Sequence, residues 1–410
     1  MATLALGAPY RRLWSATLLS NLGDGVRAAA FPLLAVTLTR DPVLIAGAAV
    51  ATQLPALLLG LAAGSLADRF DRRRIVITAD AVRLAFLTGL IALIAGGGVT
   101  MGVLYVVVFV SGVTDVIRAT AASTLVPSIV SSDQLDLANG RMVTAEIAGN
   151  EFIGPPLGGY LCGVAFVLPF AVNGGTLAIA VALVASMPAL VGATTTAIGS
   201  APTTRRDRPR VSGGLRWLRR NRSFWPVPAT SVVLAMTDSA WFTLLVLYVR
   251  DLLRLPSAWY GILLAVGAVG GLGGGFCAAS LARRAGARVT TLLCLSLTAA
   301  GQLALGTTSS VFATAVVMAT SSMAFAIWTV QSRTTIQRAV PPELLGRVLS
   351  INRVIFTAGS LIGASLGGVA ASRLGLHAPF LLGLPILAVA GILVAASPKT
   401  FSRAAPQPDR

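Results

Sequence analysis

The chain is 410 residues long, 55% hydrophobic and only 11% charged, with a mean hydropathy of +0.80. A soluble domain is roughly a quarter charged, so this composition excludes a water-soluble globular protein. The net charge of +17 invites a nucleic-acid reading, since a basic stripe is the footprint of phosphate binding, but the placement of the charges argues against it.

A hydrocarbon core about 30 Å thick takes roughly 20 apolar residues per helix. On that measure the chain predicts twelve helical spans: 11–38, 42–66, 75–96, 101–124, 138–163, 166–190, 223–249, 257–280, 289–307, 310–332, 345–371 and 377–397. The first apolar run is too long for a signal-peptide core and reads as a helix rather than a leader. With both ends inside, the cytoplasmic segments hold Arg11 and Arg12, Arg69 to Arg74, the arginine-rich run from Arg205 to Arg222, Arg283, Arg284, Arg288, Arg333, Arg338, Arg347, Lys399, Arg403 and Arg410. The outer segments hold Arg40, Arg250, Arg254 and Arg373. That alternation is the positive-inside pattern of a membrane protein, and it accounts for the charge without nucleic acid.

Domain boundaries follow from the one long polar connection. Residues 1–191 form a first six-helix bundle, 192–222 a basic linker, 223–401 a second bundle and 402–410 a polar tail expected to be disordered. The linker's TTRRDRPR and RWLRRNR predict a flexible segment with a basic amphipathic end lying on anionic lipid. The bundles are related. SLADR at Ser65–Arg69 recurs 215 residues on as SLARR at Ser280–Arg284, and the same offset carries Arg73 onto Arg288 and Arg118 onto Arg333. GPPLGG at Gly154 returns as GASLGG at Gly363, and Asp24 returns as Asp238. Two equivalent halves with a site between them at mid-depth are a transporter architecture.

On these residues the chain resembles the major facilitator superfamily. The stretch from Gly64 through Asp68, Arg69, Asp71, Arg72, Arg73 and Arg74 is similar to that superfamily's loop between helices two and three. SNLGDGV at Ser20, ITADAVR at Ile77 and VPSIVSSDQLDLANG at Val126 resemble its drug, macrolide and siderophore exporter branch. The resemblance implies an all-α, multi-pass protein of the bacterial inner membrane with both termini cytoplasmic. It implies alternating access, export of a small amphipathic or hydrophobic molecule, and exchange for protons. Uptake symport and lysophospholipid flipping by the same fold stay open. The largely aliphatic, glycine-rich spans favour apolar substrates.

The resemblance also implies a cytoplasmic latch of Gly64, Asp68, Arg72 and Arg73, with Asp115 as the acidic partner of Arg72 and Arg118 nearby at the inner end of helix four. Asp71 departs from the family's usual glycine. GPPLGG, with Gly154, Pro155, Gly158 and Gly159, matches the core of the exporter motif in helix five, although Asn150 replaces another of its glycines. Its small residues admit close helix approach, and its prolines bend the helix.

Charges inside a span are costly and mark function. Asp24, with Arg27 one turn on, is the leading proton-coupling candidate, followed by Glu151 and Glu146; a static ion pair is its alternative role. Asn21, Arg27, Asp238 and Trp241 are candidates to line the substrate cavity, with packing as the competing reading for Trp241. No cofactor is expected. Cys162, Cys277 and Cys294 show no metal-ligand spacing, and no GxxxxGK[ST] loop drives the chain with ATP. His377 is the only histidine and stands in no HExxH or GxSxG context, so an enzyme is disfavoured. Small molecules, protons and lipid are the expected partners, and a monomer the expected form.

Overall fold

The computed structural model describes residues 7–59, 71–130, 134–187, 212–221 and 224–397. The latch residues Gly64 and Asp68, the side chain of Arg72, most of the linker and the tail lie outside them. Every regular element among the described residues is helical. In chain order these are α1 (Ala8–Leu38), α2 (Pro42–Leu59), α3 (Arg72–Ala95), α4 (Met101–Ile129), α5 (Leu135–Ile147), α6 (Gly154–Val164), α7 (Val167–Ala185), α8 (Ser212–Arg220), α9 (Pro226–Phe242), α10 (Ser257–Thr307), α11 (Val311–Ala339), α12 (Pro342–Leu374) and α13 (Ala378–Ala395). A π-helical segment, Ala148–Ile153, joins α5 to α6, and a second, Tyr248–Leu252, follows α9.

Ten helical stretches among the described residues are long and apolar enough to cross a membrane. The two expected spans outside that set are α1, with Asn21, Asp24 and Arg27 at its middle, and Leu135–Val164, where the π segment and Arg141, Glu146 and Glu151 interrupt the apolar run. Two expected spans are continuous as α10, which is broken at Gly286 by a backbone φ of 76°. Glycine adopts that conformation without a Cβ penalty.

The chain divides into two compact units, Met1–Thr196 with Leu245–Ala265, and Ala197–Leu244 with Val266–Arg410. The segment Leu245–Ala265 is tied to the first unit by its own contacts. Arg250 donates to the Val36 carbonyl at the end of α1, and Gly261 lies against the backbone of Pro155, Pro156 and Gly159.

Each unit repeats the same local devices. Thr100 caps α4 by accepting from the Val103 amide at 3.3 Å, and Ser310 caps α11 by accepting from the Ala313 amide at 3.4 Å. These caps satisfy amides that a helix start leaves without partners. Arg73 donates to the Val184 and Ala185 carbonyls at the end of α7, and Arg288 donates to the Ala395 carbonyl at the end of α13. A cation there complements the helix dipole. The Arg73–Arg288 correspondence read from sequence is thus a shared cap.

Close helix approach also repeats. In the first unit Gly149, Gly154 and Gly158 meet the α1 backbone around Asn21, Gly25 and Val26. In the second, Gly359, Gly363 and Gly367 of α12 meet Val232, Met236 and Ala240 of α9 at successive turns. Association in lipid relies on such small-residue packing, because lipid tails remove the hydrophobic drive.

Contact and open positions give opposite predictions. A Cβ on Gly363 would overlap the Met236 carbonyl, whereas one on Gly275 would meet no neighbour. Gly363→Val should cost about 1–3 kcal/mol, and Gly275→Ala should be neutral or stabilising by up to about 1 kcal/mol. Thermal unfolding of the detergent-purified protein checks both.

Candidate functional site

The dominant polar feature of the first unit is a cluster of three aspartates and three arginines on α1, α3 and α4. Asp24 and Arg27 come from α1, Asp80 and Arg83 from α3, and Asp115 and Arg118 from α4. Each helix contributes one acid and one base three residues apart, a spacing that puts both on one helix face. With three charges of each sign, the cluster is formally neutral.

Arg83 lies at its centre and is 1% exposed. It faces all three carboxylates: Asp24 Oδ1 at 3.0 Å, Asp80 Oδ1 at 3.9 Å, and Asp115 Oδ1 in a close hydrogen bond. Its Nη2 also donates to the Ser20 hydroxyl at 3.2 Å. Arg27 donates to Asp115 Oδ2 at 2.8 Å and reaches Asp24 Oδ1 at 3.4 Å. Its guanidinium stands 5.5 Å from the Phe31 ring centroid, within cation–π reach. Arg118 Nε donates to Asp80 Oδ2 at 3.1 Å.

Accessibility divides the acids. Asp80 is 1% exposed, whereas the Asp24 and Asp115 side chains are 16% and 35% exposed. The Asp80–Arg118 pair is therefore an interior strut between α3 and α4. Asp24 and Asp115 form the accessible side. Two ion pairs join α1 to the other helices of the cluster, Asp24–Arg83 and Arg27–Asp115.

Both oxygens of Asp115 are engaged by guanidiniums inside the bundle, those of Arg27 and Arg83; the side chain of Arg72, its expected partner, lies outside the described residues. Arg118 is buried on Asp80. Its repeat counterpart Arg333 is exposed. Asp80 and Arg83 were not among the candidates read from sequence. ITADAVR carried them as a family likeness, and the available signal was a second intramembrane acid–base pair at the spacing of Asp24 and Arg27.

The remaining candidates distribute around this core. Asn21 donates its amide to the Thr17 carbonyl within α1 at 2.9 Å. Gly154 and Gly158 are buried against Gly25 and Val26, beside Asp24 and Arg27; Pro155 is buried with them, and Gly159 packs on Gly261. The helix-five motif thus forms the bed on which the charged turn of α1 rests. Glu146 and Glu151 are exposed, Glu151 within the π segment, and neither has a salt-bridge partner among the described residues.

In the second unit Asp238 is half-buried and accepts a hydrogen bond from the Trp241 indole. Trp241 is itself buried, with its ring 5.9 Å from Phe380 in a stacked pair and 5.8 Å from Phe242 edge-on. It packs in the interior of its unit, as in the packing reading set against a cavity role for it. Among the described residues no His, Cys, Asp and Glu group has metal-site geometry.

A family profile described as the Major Facilitator Superfamily matches residues 13–364. The multidrug efflux pump Tap of Mycobacterium tuberculosis is 29% identical over 394 residues, covering 91% of this chain and 89% of that protein. The solved structure of a bacterial homologue of the iron transporter ferroportin, in its inward-facing state, superposes with a TM-score of 0.76 at 18% identity, covering 96% of this chain and 99% of that one. A bacterial homologue of the human lysosomal transporter Spinster superposes with a TM-score of 0.77 at 14% identity, covering 99% and 100%. The apolar helices, the duplicated packing and a profile spanning most of the chain agree: this is a multi-pass membrane transporter, not an enzyme, and it belongs to the Major Facilitator Superfamily.

Proposed function

We propose that this transporter exports small amphipathic or hydrophobic molecules in exchange for protons, as a monomer, from the bacterial inner membrane. The observation that carries this reading is the neutral six-charge cluster, set against a relative named as a multidrug efflux pump over nearly its whole length. Replacing a buried ion pair with apolar residues of similar volume is often neutral or stabilising. The cluster's cost in hydrocarbon therefore points to a task beyond holding the fold.

Charge balance supplies that task. In the ionised state Asp24 links α1 to Arg83 of α3, and Arg27 links α1 to Asp115 of α4. A proton on Asp24 removes the first link and leaves the cluster with an excess positive charge. The strut between Asp80 and Arg118 and the Arg27–Asp115 pair are untouched, so α3 and α4 stay paired and α1 stays joined to α4 while its ion pair to α3 is lost. A change of protonation thus becomes a change in the contacts of one helix, as a two-state transporter requires. α1 rests on the helix-five glycines, where backbone contact rather than interlocking side chains leaves a surface for sliding. Gly64, Asp68, Arg72 and Arg73 retain their proposed latch role, with Arg73 also capping α7. Asp238 is the second unit's polar contact for substrate.

Everted vesicles with a fluorescent pH reporter test the coupling. Lipophilic drugs and macrolides should elicit proton release from wild type, and Asp24→Asn should reduce it at least roughly tenfold, the effect of about 1.4 kcal/mol. Full coupled activity in the mutant would transfer the role to Glu151 or Glu146. Activity only with lysophospholipids, or only in the uptake direction, would replace the export assignment and leave the fold intact.

Asp80 should behave differently. Asp80→Ala leaves Arg118 and Arg83 short of a carboxylate in the interior and should cost about 3–5 kcal/mol of stability. Combining it with Arg118→Leu should recover part of that loss. Thermal unfolding of the purified variants measures both effects, and equal stability of Asp80→Ala and wild type would remove the strut assignment.

A further inference from the structure

Helix α8 is an amphipathic nine-residue segment, SGGLRWLRR. Its apolar side is already occupied by protein. Leu218 and Phe224 are 4% exposed and pack with Val227, Ile336, Val340 and Val348 of α9, α11 and α12. Trp217 lies edge-on to Phe224 at 5.2 Å. Gly213 and Gly214 let the helix lie close against Arg347 and Ile351 of α12. The basic amphipathic end of the linker is thus docked on the bundle with its polar arc turned outward.

That arc is cationic. Arg216, Arg219 and Arg220 are all exposed and share one face by their spacing. Arg333 and Arg338 are exposed on the adjoining end of α11. None of these five has a salt-bridge partner among the described residues. Beside them are two exposed apolar side chains, Leu215 at 38% and Trp225 at 46%. Trp225 immediately precedes the apolar helix α9, the position at which a tryptophan marks headgroup depth.

We propose that α8 and the adjoining end of α11 form a binding surface for the phosphate headgroups of anionic phospholipid. Guanidiniums pair with phosphate through planar, charge-assisted hydrogen bonds. Trp225 and Leu215 place the surface at the depth where lipid phosphates lie, which favours lipid over a soluble anion. Docking holds the arginines in fixed positions and connects headgroup binding to α12, against which α8 lies, and through the shared apolar cluster to the end of α11. Lipid composition would then bias the second unit whatever substrate is carried.

The test uses the full chain in vesicles of phosphatidylcholine containing either brominated phosphatidylglycerol or brominated phosphatidylcholine. The readout is tryptophan quenching, with the Trp225 contribution defined by W225F. Each arginine near an anionic surface favours binding by roughly fivefold. Wild type should therefore be quenched by the anionic lipid at least roughly fivefold more effectively. The preference should vanish in R216Q/R219Q/R220Q, persist in R216K/R219K/R220K, and weaken with salt. Equal quenching by the two lipids in wild type would overturn the proposal. So would an undiminished preference in a glutamine triple variant that elutes as a folded monodisperse protein.

Discussion

A charge inside hydrocarbon must find a counter-charge or a donor, and the first unit is organised around that constraint. Three helices bring in one aspartate and one arginine each, and every acid reaches a base on another helix. No pair is sufficient alone, because Arg83 is shared among three carboxylates. The helices must adopt one mutual register for all six charges to be matched. The glycines of the π segment and α6 then set how closely α1 approaches, and so where its charged turn sits. Packing and electrostatics here are one constraint.

The repeat shows which parts of this arrangement belong to the fold. The arginine caps, the Thr100 and Ser310 starts and the small-residue contacts occur in both units. The charge cluster does not. The positions 215 residues beyond Asp80, Arg83 and Asp115 are Leu295, Thr298 and Val330. Leu295 and Thr298 are buried without charge. Arg333, the counterpart of Arg118, accordingly has Leu295 in place of an acid at the equivalent position and lies exposed.

The fold was legible in the sequence because its two main determinants are local. Runs of apolar residues fix where helices cross, and the alternation of arginine fixes a consistent reading of their ends. The site was only partly legible. Asp24, Arg27 and Arg118 stood out as charges within spans, Asp115 entered only through the family resemblance, and the proximity of Asp24 and Arg27 followed from helical spacing. Their other partners did not follow, because Arg27–Asp115 and Arg83–Asp115 join residues far apart in the chain. Asp80 and Arg83 lay within the expected span 75–96 but were carried only as part of the ITADAVR likeness, since their partners Arg118, Asp24 and Asp115 sit on other helices. For Trp241 the sequence left cavity lining and packing both open, and the contacts with Phe380 and Phe242 are packing contacts.

One correspondence survives the divergence of the halves. Three residues after each first-helix aspartate stands a donor, Arg27 after Asp24 and Trp241 after Asp238, and in each unit it reaches that aspartate. The geometry is the same, but the chemistry is not. Arg27 carries a charge and can be shared with Asp115, which makes Asp24 part of a network spanning three helices. The indole is neutral and has a single N–H, so its bond to Asp238 stays within α9 and supplies no counter-charge. Ion pairing in the first unit ties its carboxylate to a network on three helices, while the second unit's carboxylate has its contact within its own helix. A duplicated fold has thus placed the same acid in two electrostatic settings, one in an ion-pair network spanning three helices and the other with no counter-charge among the described residues.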